Sequence, residues 1–231
     1  MITGIMKKTV WIIIFLLILF ADLVGVYLNN ENLQTITKPL LMPLLAIYFL
    51  TETRLVNVNL KAWIFLALFF SWTGDVFLLF EERNSIFFLL GLFAFLVAQI
   101  FYIIFFHNIR MREYIRGNAL LLLLAIVYYG VLISILSPFL GDLILPVRIY
   151  GVFLSFMLLL AMHTMFSKNK KAGLWMMLGA ILFVASDSLL AFNKFYATFN
   201  YAGIIIMLTY GLGQLFIAHG AVKYINGKRA E

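Results

Sequence analysis

Two aspartates lie inside stretches that are otherwise apolar. Residues 179–195 read Gly-Ala-Ile-Leu-Phe-Val-Ala-Ser-Asp-Ser-Leu-Leu-Ala-Phe-Asn-Lys-Phe, with Asp187 between Ser186 and Ser188. Residues 74–80, Gly-Asp-Val-Phe-Leu-Leu-Phe, echo residues 186–192, Ser-Asp-Ser-Leu-Leu-Ala-Phe, and both fit small-Asp-x-x-Leu-x-Phe. An acid at the centre of a bilayer costs at least about 2.5 kcal/mol, so Asp75 and Asp187 are functional-site candidates by default. With Asn193 as the expected helix end, Asp187 lies roughly 9 Å below it at about 1.5 Å per residue. A long Lys or Arg chain snorkels from such a depth, whereas an Asp does not.

Two carboxyls that face one another out of water can divide acid and base work. One keeps its proton and donates it; the other stays ionised and stabilises a cation or takes a proton, as in glycosidases. The plainer reading makes each Asp a structural group, hydrogen-bonded to Ser, Tyr or Lys on a neighbouring helix. A third acid, Asp22, has no echo and reads as structural. Gln99 and Gln214 lie well inside their apolar segments and should face the bundle, to position substrate or water or to join helices. Lys38, Asn193 and Lys194 are expected at the outer mouth, where a lysine meets a phosphate or simply snorkels, and Ser186 joins them as a candidate substrate contact. Glu81, Glu82 and Arg83 read as a solvated loop. His107, His163 and His219 fall near inner helix ends with no HxxxH or HExxH spacing, so no metal is expected. No phosphate loop or Gly-x-Ser-x-Gly elbow occurs, and no cofactor is expected.

The elements that must position these groups follow from composition. The chain has 231 residues, 65% hydrophobic and 12% charged, with a mean hydropathy of +1.05. Soluble domains carry nearer 25% charged residues. The fold class expected is all-α, a polytopic membrane protein forming a single integral membrane domain over 1–231. Long apolar runs without period-two alternation exclude a β-barrel. There are no cysteines, so disulfide and thiolate chemistry are excluded. The net charge is +7, but the basic residues are scattered over short loops and do not point to nucleic acid.

Eight apolar segments are expected near 9–28, 38–53, 62–80, 86–106, 118–137, 144–163, 173–192 and 201–222. The first reads as a span and not as a removed leader. Pro39 reads as a start signal for the second. With both termini inside, the inner side holds Lys7, Lys8, Arg54, Lys61, Arg110, Arg112, Arg116, Lys168, Lys170, Lys171, Lys223, Lys228 and Arg229, against Lys38, Arg83, Arg148 and Lys194 outside. That asymmetry fits eight spans with cytoplasmic ends, and a bacterial cell membrane is the expected setting. Gln99-Ile-Phe101 in the fourth segment matches Gln214-Leu-Phe216 in the eighth. With the paired acids this implies a parallel 4+4 internal repeat about an axis along the membrane normal. Asp75 and Asp187 would then face each other in the outer half of the bundle.

Ser71-Trp-Thr-Gly74-Asp75, the run Gly91 to Tyr102, Gly179-Ala180 with Phe183, Ser186-Asp187 and Ala191-Phe-Asn193-Lys194, and Gln214-Leu-Phe-Ile217 together resemble the YhhN-like family, the lysoplasmalogenases. The resemblance runs from Lys38-Pro39 to the eighth segment. It implies an eight-helix membrane hydrolase that cleaves the vinyl ether bond of lysoplasmalogens, giving a fatty aldehyde and a glycerophospho-alcohol. A lysophospholipid substrate and membrane lipids are the implied partners, with Asp75 and Asp187 catalytic. Where the family commonly has a histidine in the fourth span, this chain has Gln99, which cannot shuttle a proton. The alternatives are an ion-coupled carrier, which suits a repeat with buried acids, and a non-catalytic lipid-binding protein.

Overall fold

A computed structural model describes residues 2–56 and 58–227, with side chains from Thr9 onward. Lys7, Lys8, Lys228 and Arg229, counted above on the inner side, lie outside the described side chains. The described chain is all helical: α1 (Ile2–Tyr27), α2 (Glu31–Thr53), α3 (Leu60–Leu78), α4 (Ser85–Arg112), α5 (Ala119–Leu136), α6 (Ile144–His163), α7 (Lys170–Ala191) and α8 (Ala202–Gly227). All eight are long and apolar enough to cross a bilayer, and the chain is an integral membrane protein.

Four helices are capped by an asparagine side chain. The side chains of Asn30, Asn84, Asn118 and Asn169 accept the backbone N–H groups of Leu33, Ile86, Leu120 and Ala172 at 2.9–3.1 Å. Each cap satisfies a donor that the helix itself leaves open. The interior is held by close approach at small residues. A Cβ on Gly179 would stand 2.6 Å from the Ile217 nitrogen, and one on Gly213 would stand 2.9 Å from the Gly179 carbonyl. Only glycine lets α7 and α8 lie this near, the usual device where lipid supplies no hydrophobic drive between helices.

The second helix corrects the sequence reading. Pro39 does not open it; α2 begins at Glu31, capped by Asn30, and both Pro39 and Pro43 lie inside. The acid in the first turn suits the positive end of the helix dipole. Pro43 has no N–H for the Pro39 carbonyl, so that acceptor would be orphaned in lipid. Trp72 of α3 supplies the missing donor, its indole N–H reaching the Pro39 carbonyl at 3.0 Å. The prolines are therefore tolerated because a neighbouring helix completes the hydrogen bonding.

His163 departs from the expected rim position. It is 3% exposed, bonds the Leu159 carbonyl through Nδ1 at 2.7 Å, and accepts the Asn118 backbone N–H on Nε2. It fastens the start of α5 to the end of α6. His107 is exposed at the same end of the bundle, and His219 contacts Tyr48 at 2.8 Å.

Candidate active site

The two acids occupy different surroundings. Asp187, on α7, is 9% exposed and lines a recess between α4, α5, α6 and α7. The rest of the wall is apolar except for Tyr150: Leu78, Phe88, Leu92, Phe95, Leu132, Leu136, Val147, Gly151, Leu154, Leu190, Ala191 and Phe195. Tyr150 of α6 donates its hydroxyl to Oδ2 of Asp187, and Gln99 of α4 donates its amide to the same oxygen at 3.3 Å. Three helices thus converge on one carboxyl. Tyr128 of α5 joins the neighbouring Ser188 at 2.8 Å, which brings in a fourth. The Gln99 side chain is fully buried, and its Oε1 has no hydrogen-bond partner.

Asp75, on α3, is 1% exposed and does not line the recess. Its Oδ2 accepts the hydroxyl of Tyr210 from α8 at 2.8 Å. Phe95 belongs to both neighbourhoods: it fills the space above Gly74, meets the Tyr210 ring edge-on at 5.8 Å, and forms part of the recess wall. Asp22 of α1 is fully buried and accepts the Thr37 hydroxyl at 2.6 Å, while its second oxygen has no hydrogen-bond partner.

The other expected site residues are placed as follows. The early start of α2 puts Lys38 inside the helix and not at its beginning, and its side chain is half-buried. Gln214 is fully buried, accepts the Tyr102 hydroxyl and donates to Ser71 at 3.0 Å, tying α3, α4 and α8 together. Ser186 donates to the Ile206 carbonyl of α8 at 2.9 Å. Asn193 accepts the Phe199 N–H and steadies the π-helical turn Phe192–Tyr196 that follows α7. Lys194, on that turn, pairs with Glu81 at 3.4 Å and stands 5.0 Å over the Phe88 ring. Phe88 and Phe195 both line the recess, so Lys194 sits at its rim. Glu81 is therefore engaged and not merely solvated.

Sequence reasoning missed Tyr150, Tyr210 and Tyr102, the three hydroxyl donors of the buried network. Their one signal was depth, because tyrosine is otherwise enriched at the membrane–water interface.

A profile of the YhhN family matches residues 33–221, which include every helix around the two acids. The chain belongs to the YhhN family. Among curated proteins, this YhhN chain is similar to lysoplasmalogenase TMEM86B of Rattus norvegicus, 32% identical over 68% of the chain and 60% of the rat protein. It is 31% identical to lysoplasmalogenase TMEM86A of Homo sapiens over 69% of the chain and 65% of that protein. The match thus spans less than two thirds of these relatives' lengths. No solved structure matches the chain.

Proposed function

We propose that this YhhN protein is a lysoplasmalogenase-like hydrolase, cleaving the vinyl ether bond of a single-chain glycerophospholipid. The observation that carries the reading is the lone carboxyl of Asp187 on a recess wall that is apolar apart from Tyr150, with Tyr150 and Gln99 fixing its position. The similarity to named lysoplasmalogenases supports the choice of substrate.

Vinyl ether hydrolysis needs few groups. A proton adds to the alkene carbon remote from oxygen, and the π electrons leave an oxocarbenium cation. Water adds to the carbon that bears the oxygen and loses a proton. The hemiacetal then breaks its C–O bond to give an aldehyde and an alcohol. Asp187 is the carboxyl in contact with the recess, so it is the acid of the first step. Both of its hydrogen bonds fall on Oδ2, which leaves Oδ1 to carry the proton. Once it has donated, the same carboxylate opposes the cation and takes the proton from water. Asp75 works with it from behind Phe95, its charge stabilising the cation through a low-dielectric interior. The alkyl chain lies along Leu92, Leu132, Leu136 and Leu154, and the phosphate meets Lys194 at the rim.

The proposed repeat has support of its own. Within each set of four, consecutive helices pack on one another, and α3–α4 and α7–α8 are the most extensive pairs. Leu78 and Leu190, at equivalent places in the two acid motifs, both line the recess.

The test is purified protein in detergent with a lysoplasmalogen, followed for free aldehyde, beside the ester-linked lysophospholipid. Aldehyde from the vinyl ether, without fatty acid from the ester, supports the reading. In heavy water the aldehyde should carry one deuterium on the carbon beside its carbonyl. Transport or binding with no aldehyde would favour the carrier or lipid-binding alternatives and refute hydrolysis.

A further inference from the structure

At the end of the bundle opposite the rim of the recess, the ends of α4, α7 and α8 part around a hollow of about 560 Å³. Arg112 from α4, Lys168 just before the cap of α7, and Lys170 and Lys171 from its first turn line it. Its one acid, Glu113, already accepts the backbone N–H of Lys168 at 2.6 Å. Among the described residues the ion pair formed is Lys194 with Glu81, so none of these four cations has a carboxylate partner. Like charges gathered round one cavity repel each other, and an anion among them removes that repulsion.

The hollow has fixed walls. Asn169 caps α7 through the Ala172 N–H at 3.1 Å, and its amide donates to the Lys223 carbonyl of α8 at 3.2 Å. The α7 N-terminus, itself attractive to anions, is thereby held against α8. Lys223 lies 5.4 Å over the Trp175 ring beside this junction.

We propose that this cleft binds the phosphate-bearing headgroup of an anionic phospholipid from the adjoining leaflet. Three spans end around it, so it lies level with lipid headgroups rather than out in water. Basic clefts between spans on the Lys/Arg-rich side suit headgroups with net negative charge. The excess of Lys and Arg at this end assigns the leaflet as the cytoplasmic one. The cleft is separate from the Asp187 recess, so its assignment does not depend on the hydrolase reading.

The experiment uses the full chain in a neutral maltoside detergent, titrated with dioctanoyl phosphatidylglycerol, dioctanoyl phosphatidylcholine or inorganic phosphate at matched ionic strength. Thermal unfolding and tryptophan fluorescence are recorded. Phosphatidylglycerol should give a saturable rise in unfolding temperature, and phosphatidylcholine should not. A combined Lys168→Gln, Lys170→Gln, Lys171→Gln variant, and its Glu counterpart, should need at least tenfold more phosphatidylglycerol. Equal responses to the two lipids, or an unchanged response in both variants, would overturn the site. The same saturable shift with inorganic phosphate at equal concentration would overturn the lipid as occupant.

Discussion

A buried carboxyl acts through whatever fixes its oxygens, and here Tyr150 and Gln99 fix one oxygen of Asp187. Replacing Asp187 by Asn keeps the shape and removes the transferable proton. Turnover of a lysoplasmalogen should fall about 10²–10⁴-fold, the usual scale of general acid–base catalysis. Asp75→Asn should lower kcat less, because Asp75 does not touch the recess. Tyr150→Phe leaves a buried carboxyl short of one donor, which should cost about 1–3 kcal/mol of stability or activation. Comparison of melting temperature with kcat separates the two. At the rim, Lys194 must leave Glu81 to meet a phosphate. Glu81→Gln should therefore lower KM for a lysophospholipid with kcat little changed; a raised KM would argue against Lys194 as the phosphate partner.

Both acids were legible in the sequence because a charge in lipid is conspicuous. Their unequal access was not, because it depends on where Phe95 packs. Tyr150 was hidden because a tyrosine in a membrane segment has several ordinary uses. Gln214 and Ser186 were visible as polar intruders, but not their partners, Ser71 of α3 and the Ile206 carbonyl of α8. No spacing rule within one segment reports such partners.

For the elements, hydropathy marked the spans well and their ends poorly. The run 38–53 omitted the polar turn 31–37, which is helical because Asn30 caps it. With that turn helical, Lys38 stands inside α2 and not at its start. The prolines of α2 rest on one interhelical bond, so Trp72→Phe should destabilise the protein by about 1–2 kcal/mol by leaving the Pro39 carbonyl unsatisfied. An unfolding titration checks this. Where α7 meets α8 the backbones leave no room for a side chain, so Gly179→Val should separate the helices. Because Ser186 is anchored to α8, turnover should fall together with stability, although no residue of the recess has changed.

Across the whole molecule, eight spans and the asymmetry of basic residues follow from composition and charge. The YhhN match covers the helices that surround both acids, and the curated relatives carry the name lysoplasmalogenase. What neither composition nor motif conveyed is the shape of the recess, which arises where α4, α5, α6 and α7 pack unevenly. A recess of that lining suits one alkyl chain. Leu132→Trp should therefore raise KM for long-chain substrates more than for short-chain ones, as a chain-length series would register. The central claim is that Asp187 delivers a proton to a vinyl ether carbon. Its most direct test is aldehyde release from a lysoplasmalogen by the purified protein and by an Asp187→Asn variant of matched thermal stability. Steady release is expected from the first and at most a hundredth of that rate from the second; equal rates, or no aldehyde from either, would rule out proton delivery by Asp187.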